Sequence, residues 1–426
     1  METPLPTELP PAPVILPQAP PPAGGGGIVE EIRSHTERAS PSSLLRALDI
    51  IRSRDLGSTE FGRVMNAVNV TLLRNIYPTI QAQLPQLDPP VTHTYSRILR
   101  EAERGVYTPP PQNSTDYLEY MLPFLAYLPD QTQSADGRGG SGATGRTASS
   151  ERFLSALPDL ERGAKLNEDS VLAGFFMGIV FENTGRQDDA FGQYSRTWEL
   201  FPECFPAALG VARVMEAQGR RQEAVRFLSD LVVRFPDSLQ VKRQLALAYY
   251  NSGDWSRAEA AVAEILQRNS RDGEFVLMRA HILVEQGQFL QAQAPLDIYS
   301  AINPNNRLYL FLRARVQAEG FHNRDAALNY LRAILRSAPG TNSGAFDIES
   351  SVYAARLLLE SPRSEDQNEG RNLLRRLLDV PSPSLEVIAL ALDEAVLTGA
   401  LKPGDRVVLA GFGGGLTTGA VCITWN

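Results

Sequence analysis

The chain offers few groups that could make or break covalent bonds. Its thiols are Cys204 and Cys422, far apart in differently composed regions, and its imidazoles are His35, His93, His281 and His322. Two cysteines are too few for a disulfide framework or a four-cysteine zinc site, and a free thiol is usually buried as a small hydrophobe. The run Gly411-Phe412-Gly413-Gly414-Gly415 has the composition of a phosphate-cradling loop. It lacks the Lys-Ser/Thr ending such a loop needs and leads toward a strand-like stretch rather than a helix. These groups give no expectation of a catalytic residue, a metal site or a cofactor.

The residues that do recur at fixed spacing suit recognition. Gly185, Gly219, Gly253 and Gly287 stand 34 residues apart, and Ala190, Ala224, Ala258, Ala292 and Ala326 keep the same step. So do the small residues Gly178, Ala212, Ala246, Ala280 and Ala314, and the larger Tyr194, Leu228, Val262, Leu296 and Tyr330. Pro202, Pro236 and Pro304 share the spacing, with Ser270 in the remaining place. A helix-turn-helix hairpin accounts for each column. The glycine takes the left-handed turn between the helices, where a β-carbon would be strained. The alanine five residues later lies where the second helix crosses the first, and the column four further on shares its face. The small residue ahead of the glycine lets the first helix approach closely, and the proline ends the second helix.

This pattern resembles the tetratricopeptide repeat (TPR), over five full units at residues 171–338. It departs from the family in two places. The early tryptophan column reads Gly174, Ala208, Lys242, Val276 and Leu310, and the last unit carries Gly320 with one extra residue before Ala326. Phe153 to Ala164 looks like the second helix of an earlier unit, with Pro158 expected to kink it. Ser350 to Glu360 and Asn368 to Asp379 look like one more hairpin, its turn carrying Pro362. The expected fold is therefore all-α, a TPR helix-turn-helix solenoid wound as a right-handed superhelix, because one hairpin cannot bury its own apolar face and stacked hairpins can.

The rest of the chain divides by composition. Residues 1–27 are rich in proline and end in four glycines, which reads as a disordered tether; Pro10, Pro11 and Pro13 are weak support for a ligand of a proline-recognising domain. Residues 28–128 form an irregular helical region, with apolar stripes at 43–54, 61–76, 95–103 and 117–127. Residues 129–150 are Gly- and Ser-rich and read as a flexible linker, residues 151–380 as the solenoid, and residues 381–426 as a C-terminal helix followed by a short β-like tail.

Overall composition is that of a soluble globular chain: 426 residues, 43% apolar and 21% charged. The net charge of −8 argues against a nucleic-acid partner, which usually meets a basic patch. No apolar run approaches the length of a transmembrane helix, and the N-terminus lacks the basic and apolar regions of a signal peptide.

The TPR resemblance implies a concave groove lined by the first helix of each hairpin. Mapped by spacing from the turn glycine, the candidate contacts for a protein or peptide partner are Phe175, Arg213, Arg243, Tyr250, Phe311 and Arg315, residue types enriched at interface cores. The alternative for the arginines is surface pairing with Glu182 or Glu216. Some family members clamp a C-terminal carboxylate with a Lys/Asn pair. The corresponding pairs are Phe175/Ile179, Leu209/Arg213, Arg243/Leu247, Leu277/His281 and Phe311/Arg315, so that clamp is not expected.

The stretch ALDEAVLTGALKPGDRVVLAGFGGGLTTGAVCITW resembles the C-terminal end of β-ketoacyl-acyl-carrier-protein synthase III. That family has a thiolase-like fold, and the resemblance implies an oxyanion-forming turn near Gly414. It also calls for a Cys nucleophile with His and Asn partners, and no histidine of this chain stands in a matching motif. The functional expectation is thus a non-enzymatic protein-interaction scaffold using the groove. The alternatives are a lipid-tethered bacterial cell-envelope TPR protein acting in envelope assembly or in host or partner binding, its proline-rich start serving as the tether, and, remotely, a fatty-acid-synthesis protein related to the synthase III family.

Overall fold

The computed structural model describes residues 27–77, 92–128, 143–336, 344–379, 383–403, 405–412 and 418–424. The proline-rich start, most of the expected linker and Gly414 lie outside them. The chain divides into two units at Ile265 and Leu266.

Among the described residues, the regular elements of the first unit are all helices. It opens with α1 (Ile28–Arg38), α2 (Pro41–Ser53), α3 (Glu60–Ile76), α4 (Thr94–Glu103) and α5 (Tyr117–Met121), which tightens into a 3-10 turn at Leu122–Tyr127. The stripes read from the sequence correspond to α2, α3, α4 and α5 with its turn; α1 carries too few apolar residues to have stood out. Helix α6 runs from Ala143 to Leu166. Residues 143–150, read above as linker, are therefore helical, and the helix continues through Pro158. Three repeat hairpins follow: α7 (Val171–Asn183) with α8 (Gln187–Leu200), α9 (Phe205–Ala217) with α10 (Arg221–Arg234), and α11 (Leu239–Ser252) with α12 (Trp255–Arg268).

One buried apolar cluster extends from Ile32 to Ala248, so the irregular N-terminal helices share a core with the repeats. Several polar groups inside that core are paired. Thr36 and Asn69, both fully buried, hydrogen-bond each other, and the Tyr77 hydroxyl donates to the carbonyl of Ala39 at 3.0 Å. Buried polar groups need such partners because an unpaired one costs its full desolvation.

The repeat columns explain the hairpins. Gly185, Gly219 and Gly253 have φ of +79°, +79° and +77°, the left-handed turn that only glycine adopts without strain. Ala190, Ala224 and Ala258 are fully buried where the helices cross. Ser170 and Ser238 cap α7 and α11 by accepting from the backbone N–H of Ala173 and Val241. Both belong to a 34-residue column that also contains Cys204, which begins α9 without a side-chain cap.

The second unit continues with α13 (Gly273–Glu285) and α14 (Phe289–Ser300), joined at Gly287 with φ +72°. Next come α15 (Arg307–Arg315), a single π turn at Val316–Gly320 and α16 (Arg324–Arg336). Here the sequence columns are corrected by one residue. The π turn absorbs an extra residue, so His322, with φ +52°, takes the position of the turn glycine. Ala327 and Leu331 are the buried residues in place of Ala326 and Tyr330. Helices α17 (Gly344–Leu359) and α18 (Ser364–Leu378) form a further hairpin, against which α19 (Leu385–Leu397) packs through Val387. Strands β1 (Arg406–Phe412) and β2 (Thr418–Thr424) pair antiparallel, Val408 opposite Cys422.

Candidate partner-binding face

The six candidate residues separate into two kinds. Phe175 and Phe311 are 8% and 4% exposed. Phe175 packs its ring against Phe176 and Tyr194, and Phe311 meets Tyr353 edge-on at 5.6 Å. Both belong to the core. Their column, which includes Leu209 and Leu277, is buried except at Arg243. Arg213, Arg243, Tyr250 and Arg315 are half-buried on first helices.

In the first unit, Arg213 of α9 is tied to Glu182 of α7. Its Nε and Nη2 donate to the two carboxylate oxygens, each at 2.8 Å. Tyr194 of α8 donates its hydroxyl to the same carboxylate at 2.7 Å, and the guanidinium carbon lies 6.0 Å from its ring. Burial pulls the Arg213 pKa down, but its bonds to Glu182 outweigh burial and raise it. A planar fork bonded along one edge is fixed in orientation. Glu216, one step beyond Glu182, accepts from the side-chain amide of Asn251 at 3.2 Å, and Tyr250 meets Trp255 edge-on at 5.7 Å.

The second unit repeats the arrangement with different residues. Arg315 of α15 pairs with Glu285 of α13 and, at 3.1 Å, with Glu319. Glu319 in turn accepts from the Tyr353 hydroxyl at 2.8 Å. His281 Nε2 lies 3.4 Å from Glu285. Its pKa is lowered, first by burial and then by Arg315, against the opposing pull of Glu285. Arg213 thus pairs with Glu182, one of the two glutamates named in the alternative, whereas Arg315 pairs with Glu285 and Glu319 instead. Sequence reading did not assign Tyr194 and Tyr353 to this face. The signal for Tyr353 was present, since it stands 34 residues after Glu319.

Cys204 is fully buried, and burial pushes its thiol up to about 11. Such a thiol is almost wholly protonated near neutrality and is a poor nucleophile. Among the described residues there is no grouping of three or more His, Cys, Asp or Glu able to hold a metal ion, and no helix long and apolar enough to cross a membrane.

Comparison with known proteins agrees with both sequence resemblances. Residues 209–274 and 243–292 match the tetratricopeptide repeat family, and residues 386–425 match the 3-oxoacyl-[acyl-carrier-protein] synthase III C-terminal family. Beta-ketoacyl-[acyl-carrier-protein] synthase III 3 of Streptomyces coelicolor is 51% identical over 49 residues, which is 12% of this chain and 15% of that protein. ER membrane protein complex subunit 2-A of Xenopus laevis is 28% identical over 130 residues, 30% of this chain and 44% of that protein. The chain thus spans less than half the length of either relative.

Among solved structures, Pseudomonas aeruginosa pilF is similar at 20% identity and a TM-score of 0.39, over 46% of this chain and 92% of that one. YrrB, described as a TPR protein with an unusual peptide-binding site, is similar at 14% identity and a TM-score of 0.36, over 42% of this chain and 92% of that one. The chain carries tetratricopeptide repeats within residues 209–292, and residues 386–425 are similar to the synthase III C-terminal family.

Proposed function

We propose that the chain is a protein-interaction scaffold, and that the first helices of the first unit grip a polypeptide partner through Arg213, Arg243 and Tyr250; in the second unit, taken by itself, Arg315 is the corresponding contact. Phe175 and Phe311 support this face from beneath. The observation that carries the reading is the fixed, half-buried guanidinium of Arg213, held along one edge by Glu182 while its side chain stays 37% exposed. A donor already ordered before binding loses little side-chain entropy when a partner arrives. This reading assigns no catalytic step to the chain.

The test uses the full chain as bait in an affinity capture read by mass spectrometry, followed by titration of the captured partner. The double variant Arg213→Ala/Arg243→Ala is expected to weaken binding by about tenfold or more, as loss of interface hot spots does. Unchanged affinity in that variant removes this face from the function.

A further inference from the structure

A second surface of the first unit carries an excess of positive charge. At the turns joining α9 to α10 and α11 to α12 there is a cleft of about 780 Å³. Its walls include Arg220, Arg221, Arg226 and Arg257, together with Tyr249 and Ser252. Two of these arginines are answered locally. Arg220 pairs with Glu223 at 2.8 Å, and Arg257 lies 3.6 Å from Asp254 and 5.8 Å from the centre of the Tyr249 ring. Arg221 and Arg226 are exposed; Arg221 acts on Glu216 and Arg226 on Glu223 through charge, with no carboxylate hydrogen-bonded to either among the described residues. The cleft therefore holds two more cationic groups than anionic ones in a chain whose net charge is −8.

This concentration is not a property of the repeat. One step earlier, the positions of Arg221, Gln222 and Arg226 are Gln187, Asp188 and Gly192; one step later they are Trp255, Ser256 and Ala260. The hairpin tolerates neutral and acidic residues at this rim, so the fold does not require the arginines. Like charges lining one cleft repel, and an anionic partner relieves that repulsion while supplying acceptors for their donors.

We propose that this cleft is a second binding site, distinct from the first-helix face, and that it takes a short acidic peptide segment. Charge complementarity selects an anionic occupant, and a cleft of this volume has room for more than a single small anion. The acidic total disfavours an extended polyanion such as nucleic acid, whose phosphates would meet the surrounding negative field. A short acidic segment reaches the arginines without spanning that field. Tyr249 and Ser252 give it an aromatic wall and a hydroxyl beside the charged groups.

The experiment is fluorescence anisotropy with the full chain and a fluorescein-labelled peptide of alternating glutamate and serine, at low and at moderate salt. Expected are saturable binding that weakens with salt and a loss of about tenfold in the Arg221→Ala/Arg226→Ala variant. The Arg375→Ala/Arg376→Ala variant, which removes the same charge from exposed positions on α18, is expected to bind as the unmodified chain does. Replacing the peptide's glutamates by glutamine should abolish binding. Absence of saturable binding, or an equal loss in the α18 variant, overturns the proposal. Tighter binding of a single-stranded oligonucleotide that depends on the same two arginines also overturns it, by assigning the cleft to a different partner.

Discussion

Gly178 of α7 lies against the ring of Tyr194 of α8, so closely that a β-carbon built on the glycine would stand 2.4 Å from ring atom Cε1. Gly210 of α9 closes the other side of the same ring, its β-carbon position 2.6 Å from Cδ2. Tyr194 is fully buried between them, and its hydroxyl emerges at Glu182. Elsewhere in the column of Gly178 the residue is alanine, and its partner is Leu228, Val262, Leu296 or, after the one-residue correction, Leu331. The hairpin exchanges volume between the two positions: glycine opposite tyrosine, alanine opposite an aliphatic side chain.

That exchange predicts the outcome of a double-mutant cycle. Gly178→Ala alone overpacks the site and should destabilise the protein by about 1–3 kcal/mol. In a Tyr194→Leu background the same change should cost far less, because the alanine–leucine pairing of the later hairpins is restored. Denaturant unfolding of the four proteins measures the coupling. Additive effects would mean that the ring and the glycine do not constrain each other.

The turns carry a second prediction. Gly253 adopts φ +77° with open space where its β-carbon would be, so Gly253→Ala is penalised by backbone conformation alone, by about 1 kcal/mol. His322 already pays such a cost at φ +52°. His322→Gly should therefore leave stability unchanged or raise it by a few tenths of a kcal/mol. Gly320→Ala should destabilise for a different reason, since its β-carbon would meet Phe289 Cβ at 2.5 Å. Thermal melts of the three variants separate these cases; a large loss on His322→Gly would contradict the assignment of His322 to the turn.

How far the sequence discloses this architecture depends on whether position or volume carries the signal. The turn glycines and crossing alanines are set by backbone conformation and close approach. Their column is therefore legible through Gly287 and Ala292. It misleads at Gly320, because an extra residue can be taken up in a π turn without leaving a compositional mark. The face chosen for a partner is less legible. Spacing alone places Phe175 and Arg243 in one column, yet the phenylalanine turns into the core while the arginine remains half-buried. Hydrophobicity decides between core and rim at such a boundary position, and a rule based on spacing ignores it.

Cys204 gives a chemical prediction. It sits in the N-cap column of the first helices, where Ser170 and Ser238 use their hydroxyls. Here it is buried beside Tyr77 instead, and its thiol is pushed up to about 11. Iodoacetamide applied to the native protein near pH 8 should leave the Cys204 peptide unlabelled, and labelling should appear on unfolding in denaturant. Peptide mapping by mass spectrometry reads this site separately from Cys422. Rapid labelling of Cys204 in the native state would show that the α3–α9 packing opens readily.

The Glu182–Arg213 pair should leave its mark on the pH dependence of stability. Burial by itself raises the pKa of the Glu182 carboxyl, but the hydrogen bonds and charge of Arg213, with the Tyr194 hydroxyl, outweigh it and lower the value below that of a free glutamate. A carboxylate whose pKa is depressed on folding contributes stability that is fully present above its unfolded value, about 4.3, and lost as pH falls through the folded value. Glu182→Gln should accordingly cost about 1–2 kcal/mol near neutral pH, where a charge-assisted bidentate bond is replaced by a weaker neutral one. The gap between variant and unmodified protein should close as the pH is taken below about 4. Urea unfolding midpoints followed from neutral pH to the acid limit of folding test this. A gap that stays constant across that range would mean that Glu182 is not held as a charged partner of Arg213, and the Arg213 guanidinium would then not be fixed in advance for a binding partner.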